Sequence, residues 1–177
     1  MSPASSRGRS HSRGLFAALL LVLVCAAGIP VATAAPAAPT MAPTFRLTAR
    51  EGGVIDLAAF RGKVVYLDFW ASWCGPCRAS FPWMTQLAKT HAADSLVVIA
   101  VNLDKDRTLA DAFLAQHPAG FRVAFDSAGT TAEAYKVSAM PTSFLIGRDG
   151  TVLLRHAGFD PRRAAEVERR VVEALRP

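Results

Sequence analysis

The chain of 177 residues is 51% hydrophobic and 19% charged, far from the low hydrophobicity and high charge density of a disordered protein. Its 12 Gly and 11 Pro follow no three-residue period, which excludes a collagen-like chain, and 3 Cys are too few for a disulfide-rich scaffold. The formal charge of +6 comes without a Lys-rich run or basic–aromatic interleaving, so nothing points to nucleic acid as a partner.

The chain opens with Arg7, Arg9 and Arg13 and no acid, followed by an almost purely apolar stretch from Leu15 to Ala27. Ala32, Thr33 and Ala34 then supply a small-residue exit. These are the three parts of an export signal, predicted over residues 1–34 with cleavage after Ala34. As a helix, Leu15–Ala27 rises only about 20 Å against a hydrocarbon core of roughly 30 Å. Gly28 and Pro30 stand against its extension. An uncleaved membrane anchor through residues 15–29 is the alternative. Cys25 follows Val24 rather than the small residue of a lipoprotein signal, and reads as one more apolar residue of the leader. Losing three Arg and no acid takes the charge from +6 to +3. Either way the expected location is the periplasm, free or tethered to the inner membrane. Residues 35–43, rich in Ala and Pro, read as an extended, poorly packed spacer.

A single domain is expected over residues 44–177, with one compact core. Phe45–Ala49 alternates, Gly52 and Gly53 turn, and Val54–Leu57 returns, predicting a hairpin. Lys63–Trp70 is an apolar run of the kind buried on both faces of a sheet. A helix follows over Pro76–His91, where Phe81, Met84, Leu87 and Ala88 recur at helical spacing and Pro82 is expected to kink it. Leu96–Leu103 is a second buried strand. Arg107–His117 is a helix with Leu109, Ala112, Phe113 and Gln116 in register. Phe121–Phe125 is a short strand, and Thr130–Tyr135 a short helix. Thr142–Ile146 and Thr151–Arg155 flank a turn that ends in Asp149-Gly150, a strong hairpin signal. Asp160 caps a last helix that begins at Pro161 and buries Val167, Val171, Val172 and Leu175. Strands alternating with helices, closed by a hairpin and a helix, predict an α/β mixed sheet covered on both faces.

Trp73-Cys74-Gly75-Pro76-Cys77 falls where the first buried strand meets its helix. There, free backbone N–H groups and the helix dipole favour negative charge, which lowers a thiol pKa and supplies the reactive thiolate. Two intervening residues on a helical turn bring the sulfurs within bonding distance. Pro76 restricts the turn at a position that needs no N–H partner. Cys74 is expected within reach of solvent, with Cys77 one turn deeper. Cys74 would attack a disulfide of a partner protein, and Cys77 would then attack Cys74 and release the reduced partner. The competing readings are a structural disulfide or half of a zinc site, although no second cysteine pair exists to complete the latter.

Phe60-Arg61-Gly62-Lys63-Val64-Val65, then Asp68 to Arg78, then Phe81-Pro82, resembles the thioredoxin superfamily, and more narrowly its exported TlpA/ResA-like thiol–disulfide oxidoreductases. The resemblance spans roughly residues 44–175. It implies a thioredoxin-like fold carrying an N-terminal hairpin extension. It implies that Met140-Pro141-Thr142 is the cis-proline loop facing the cysteines, where Met140 would meet a substrate strand and Pro141 would keep metal ions off the thiols. Gly75, Pro76 and Trp73 would complete the docking surface, and Trp70 with Trp73 would wall the site, unless both are packing residues.

Asp68 stands in an otherwise apolar strand, where burial raises a carboxyl pKa. The resemblance makes it the proton acceptor and donor for Cys77; a purely structural acid is the alternative. Thioredoxins pair this carboxylate with a Lys, and the matching position here is Ala100. ResA-like proteins often carry Glu where this chain has Ser80, which weakens the case for a dedicated role in cytochrome c maturation.

The Gly-Pro pairing is that of thioredoxin, a reductant near −270 mV, so reduction of periplasmic disulfide proteins is expected. The resemblance implies a membrane electron donor of DsbD or CcdA type. No cofactor or bound metal is called for, and a monomer is expected. Two rivals remain: a thiol peroxidase, whose Pro-x-x-x-Thr-x-x-Cys run is absent, and a copper-handling protein using Cys74 and Cys77 as soft ligands.

Overall fold

A computed structural model describes residues 40–176. The predicted signal or anchor, Cys25 and the start of the spacer lie outside the described residues. The end of that spacer is packed: Ala42 is buried, its N–H donates to the Gly150 carbonyl, and Met41 bridges Thr151.

The predicted hairpin is present as β1 (Arg46–Ala49) and β2 (Val54–Asp56), antiparallel with Leu47 opposite Ile55. Then come β3 (Val64–Trp70), α1 (Gly75–Thr90), β4 (Leu96–Asn102), α2 (Arg107–Gln116), β5 (Arg122–Phe125), α3 (Thr130–Ala134), β6 (Thr142–Ile146), β7 (Val152–Ala157) and α4 (Pro161–Leu175). The helix α1 runs on through Pro82. Asp160 caps α4 as expected, its side chain accepting from the Arg162 N–H. Gly150 takes a φ of +83° in the β6–β7 turn, a conformation that side chains with a Cβ rarely adopt.

One seven-stranded mixed sheet holds the domain, in the order β2-β1-β5-β4-β3-β6-β7. β3 pairs parallel with β4 and antiparallel with β6, and the hairpin joins through β1 and β5. All seven residues of β3 are buried, as a continuous apolar run at the centre of a two-sided sheet requires. Alternation along β3 divides them. Val64, Tyr66 and Trp70 face a core shared with α1, α2, α4 and both cysteines. Val65, Leu67 and Phe69 face a second core with α3 and the hairpin. The chain has the thioredoxin-like fold expected of it.

Two helices depart in part from the faces predicted for them. In α2 the buried residues are Ala110, Phe113 and Leu114, while Leu109 is exposed. Apolar residues surround most of this helix, so periodicity does not fix its phase; the contact of Phe113 with Trp70 and Phe81 does. In α4, Val167 and Val171 are buried, but Val172 is exposed and Leu175 only half-buried. Val172 lies one residue, or about 100°, off the buried stripe.

Candidate active site

β3 ends at Trp70, and Ala71–Trp73 turn the chain into α1. A buried carboxylate holds that turn. Asp104, just beyond β4, accepts from the N–H and the hydroxyl of Ser72, each at 2.9 Å, and from the Asn102 side-chain amide at 2.7 Å. Cys74 is thereby set as the N-cap of α1, in extended backbone, and its Sγ accepts from the Cys77 N–H at 3.3 Å. A sulfur at this place meets a helix N-terminal N–H, the group that stabilises a thiolate once the bond is reduced.

Cys74 and Cys77 form a disulfide, with Cα atoms 5.4 Å apart. Cys77 has no exposure, and Cys74 only 3%. The predicted order holds, but the openness expected at Cys74 is small in this oxidised form, because both cysteines pack into the α1-side core. The exposed groups around them are Trp73 (68%), Gly75 and Pro76. Trp70 is not a wall of the site. It is fully buried, packed between Phe81 and Phe113 with ring centroids 4.9 and 4.8 Å away. Its position on β3 points it into the core, where the sequence read it beside Trp73.

The Met140–Pro141 peptide is cis. Thr142, the next residue, pairs with Phe69 near the end of β3, which brings Pro141 to the edge of the sheet from which the cysteine turn departs. The Pro141 carbonyl accepts from the Gly158 N–H at 2.7 Å, and the Thr142 hydroxyl donates to the Ala139 carbonyl. Met140 is half-buried against the core that holds both cysteines. Ser80, one turn beyond Cys77, is buried and donates to the Cys77 carbonyl at 3.0 Å.

Asp68 is 1% exposed and projects from β3 on the cysteine side of the sheet, between Tyr66 and Trp70. Its cross-strand neighbour on β4 is Ala100, so the carboxylate has no cation there. On β6 it faces Ser143, whose hydroxyl donates to Asp68 Oδ1 at 2.8 Å. Asp68 Oδ2 has no partner. Burial pushes the Asp68 carboxyl up to about 7, and the Ser143 bond opposes that shift. Tyr66 is also held well above the ordinary range, first by burial and then by the Asp68 charge. Ser143 escaped the sequence reading. A hydroxyl beside that of Thr142, at the head of an apolar run, was the only signal, and it has meaning only once β6 is known to pair with β3. Among the described residues no three His, Cys, Asp or Glu side chains gather as a metal site.

The Redoxin family model matches residues 37–174. The chain belongs to the Redoxin family. Curated relatives include the thiol–disulfide oxidoreductase ResA of Bacillus subtilis (strain 168), 34% identical over 141 residues that cover 76% of this chain and 79% of the relative. ResA of Geobacillus kaustophilus is 33% identical over 141 residues, covering 76% and 81%. Among solved structures, a Chlorobium tepidum protein assigned as thiol:disulfide interchange protein DsbE is 51% identical, with a TM-score of 0.76 over 78% of this chain and 97% of that one. StoA from Bacillus subtilis is 26% identical, with a TM-score of 0.64 over 75% and 99%. With its Cys74–Cys77 pair this redoxin is a thiol–disulfide oxidoreductase of ResA/DsbE-like type.

Proposed function

We propose that this redoxin is exported and reduces disulfides of periplasmic proteins. The observation that carries the reading is Cys74 at the N-cap of α1, its sulfur accepting a helix N–H, with Cys77 bonded behind it. In the reduced form that N–H favours a Cys74 thiolate. The thiolate attacks one sulfur of a partner disulfide, and the partner's other sulfur leaves. Cys77 loses its proton to Asp68 and attacks Cys74, and the partner's second thiolate departs. The buried, uncompensated Asp68 carboxyl, pushed up to about 7, suits it to take and return that proton near neutral pH. Trp73, Gly75 and Pro76 offer the docking surface, with the backbone of Met140 and Pro141 along an extended substrate strand.

The oxidised pair is returned to the dithiol by a membrane electron donor of DsbD or CcdA type. Thr40–Ala42 join the sheet at the Gly150 turn, the end remote from the cysteines. Among the described residues no helix is long and apolar enough to cross a membrane.

A Cys77→Ser variant expressed in cells is expected to accumulate mixed disulfides with periplasmic proteins, identified by diagonal gel and mass spectrometry. A variant that traps none overturns the exchange role. The potential of the pair is expected well below about −150 mV, nearer thioredoxin than the oxidant DsbA. A value above that makes the protein an oxidase.

A further inference from the structure

A carboxyl that is 1% exposed has to exchange its proton with water along some path, and the sheet registers supply one. Ala100 of β4, Asp68 of β3, Ser143 of β6 and His156 of β7 stand in a single row across four strands. Ala100 closes the row on one side with a methyl group. On the other side Ser143 is 4% exposed and hydrogen-bonded to Asp68 Oδ1. β7 is the last strand of the sheet. His156 alternates with Arg155 and shares the face of Leu154, which packs on the cysteine-side core. It is half-buried and lines a cleft of about 130 Å³ with Arg163, Glu166 and Arg170 of α4. Directly paired strand residues hold their Cβ atoms about 4.5–5.5 Å apart, so His156 is the cross-strand neighbour of Ser143 on this face.

We propose that Ser143 and His156 carry protons between the buried Asp68 carboxyl and solvent, sideways across the sheet. The proposal rests on the assignment of Asp68 as the acid–base partner of Cys77. When Cys77 attacks Cys74 in the mixed disulfide, its S–H bond breaks and the proton goes to Asp68. One S–S bond forms between Cys74 and Cys77, the one between Cys74 and the partner breaks, and the partner leaves as a thiolate. Asp68 then passes its proton to Ser143 Oγ as the hydroxyl's own proton moves to the His156 ring, which gives a proton to water. Re-reduction runs the path inward. An imidazole carries both a donor and an acceptor nitrogen, and a hydroxyl can donate and accept at once. Tyr66, the other titratable group on this face of β3, is held neutral by burial; its hydroxyl lies beside Ser143 and its ring packs against Trp83. The groups around the outer end are Arg155 on β7 and Arg163, Glu166 and Arg170 on α4.

The test uses the full chain, reduced and mixed with oxidised glutathione in a stopped-flow experiment from pH 5 to 9. The step that saturates with glutathione is resolution by Cys77. Ser143→Ala and His156→Gln are expected to slow resolution by about tenfold, less than the roughly 100-fold cost of losing the acid–base group itself. Ser143→Thr, which keeps the hydroxyl, restores the rate, and added imidazole restores it in a His156→Ala variant. In an Asp68→Asn background neither change slows the step further. If Asp68→Asn slows resolution while Ser143→Ala and His156→Gln both keep the parent rate and pH profile, the lateral path is wrong and the role of Asp68 stands. If Asp68→Asn itself leaves the step unchanged, the assignment of Asp68 fails and the path falls with it.

Discussion

Asp68 is a carboxyl in the middle of a sheet with no cation to answer it, and this sets the pH behaviour of the fold. Its pKa is about 7 in the folded chain against an ordinary 3.8. Between those values the folded protein holds a proton that the unfolded chain has released. The stability from this group is therefore present in full below about pH 4 and is lost as pH rises towards 7, at about 1.4 kcal/mol per pH unit. Asp68→Asn carries no titrating proton and is expected to lack that slope. Urea midpoints for parent and variant from pH 4 to 8 should diverge through this window, the variant gaining relative stability as pH rises. Parallel curves would contradict the burial of an unpaired carboxyl. Ser143 is the counterpart at the same scale, and its hydroxyl is the partner that keeps the ionised form tolerable.

At the scale of elements, the turn between β3 and α1 is fixed from outside itself. Asp104 lies on a different strand end, yet three of its hydrogen bonds hold Ser72 and Asn102, and Ser72 is two residues from Cys74. Asp104→Ala leaves a part-buried backbone N–H and a buried amide without partners. It is expected to cost about 2–3 kcal/mol and to slow reaction with small and protein disulfides alike, because the cap geometry loosens. Thermal unfolding and a glutathione-disulfide rate check it; an unchanged rate in a folded variant would show that the turn holds itself. The hairpin β1–β2 and the pair β6–β7 were both legible as alternating runs around Gly-rich turns, since their pairing is local. The face of α2 was not, because an excess of apolar residues leaves the phase to whichever wall the helix meets; in α4 the stripe was legible and only Val172, one residue off it, was misassigned.

For the whole molecule, the redox state and the fold are linked through Cys74–Cys77. The bond closes a loop with a sequence separation of 3, which restricts the unfolded chain by about 2 kcal/mol in the loop-entropy account. The oxidised protein is expected to be the more stable form by about that amount in denaturant, as suits a reductant, whose disulfide product is the favoured state. A reduced form more stable than the oxidised one would instead describe an oxidant and would reverse the proposed direction of electron flow.

Residues near one another in the sequence settled much of this protein. Buried strands show as unbroken apolar runs, turns show as Asp-Gly and Gly-Gly, and a cysteine pair between a strand and a helix shows its chemistry, because all of these depend on neighbours within a few positions. Ala100 beside Asp68 could be foreseen only by aligning strands to a known fold. Tertiary structure alone decided that Trp70 is core and Trp73 surface, that Cys74 is nearly covered when oxidised, and that Ser143 and His156 stand in line with Asp68. Strand register joins residues 75 positions apart, and no local pattern encodes which of two neighbouring residues will face the other across a hydrogen-bonded ladder.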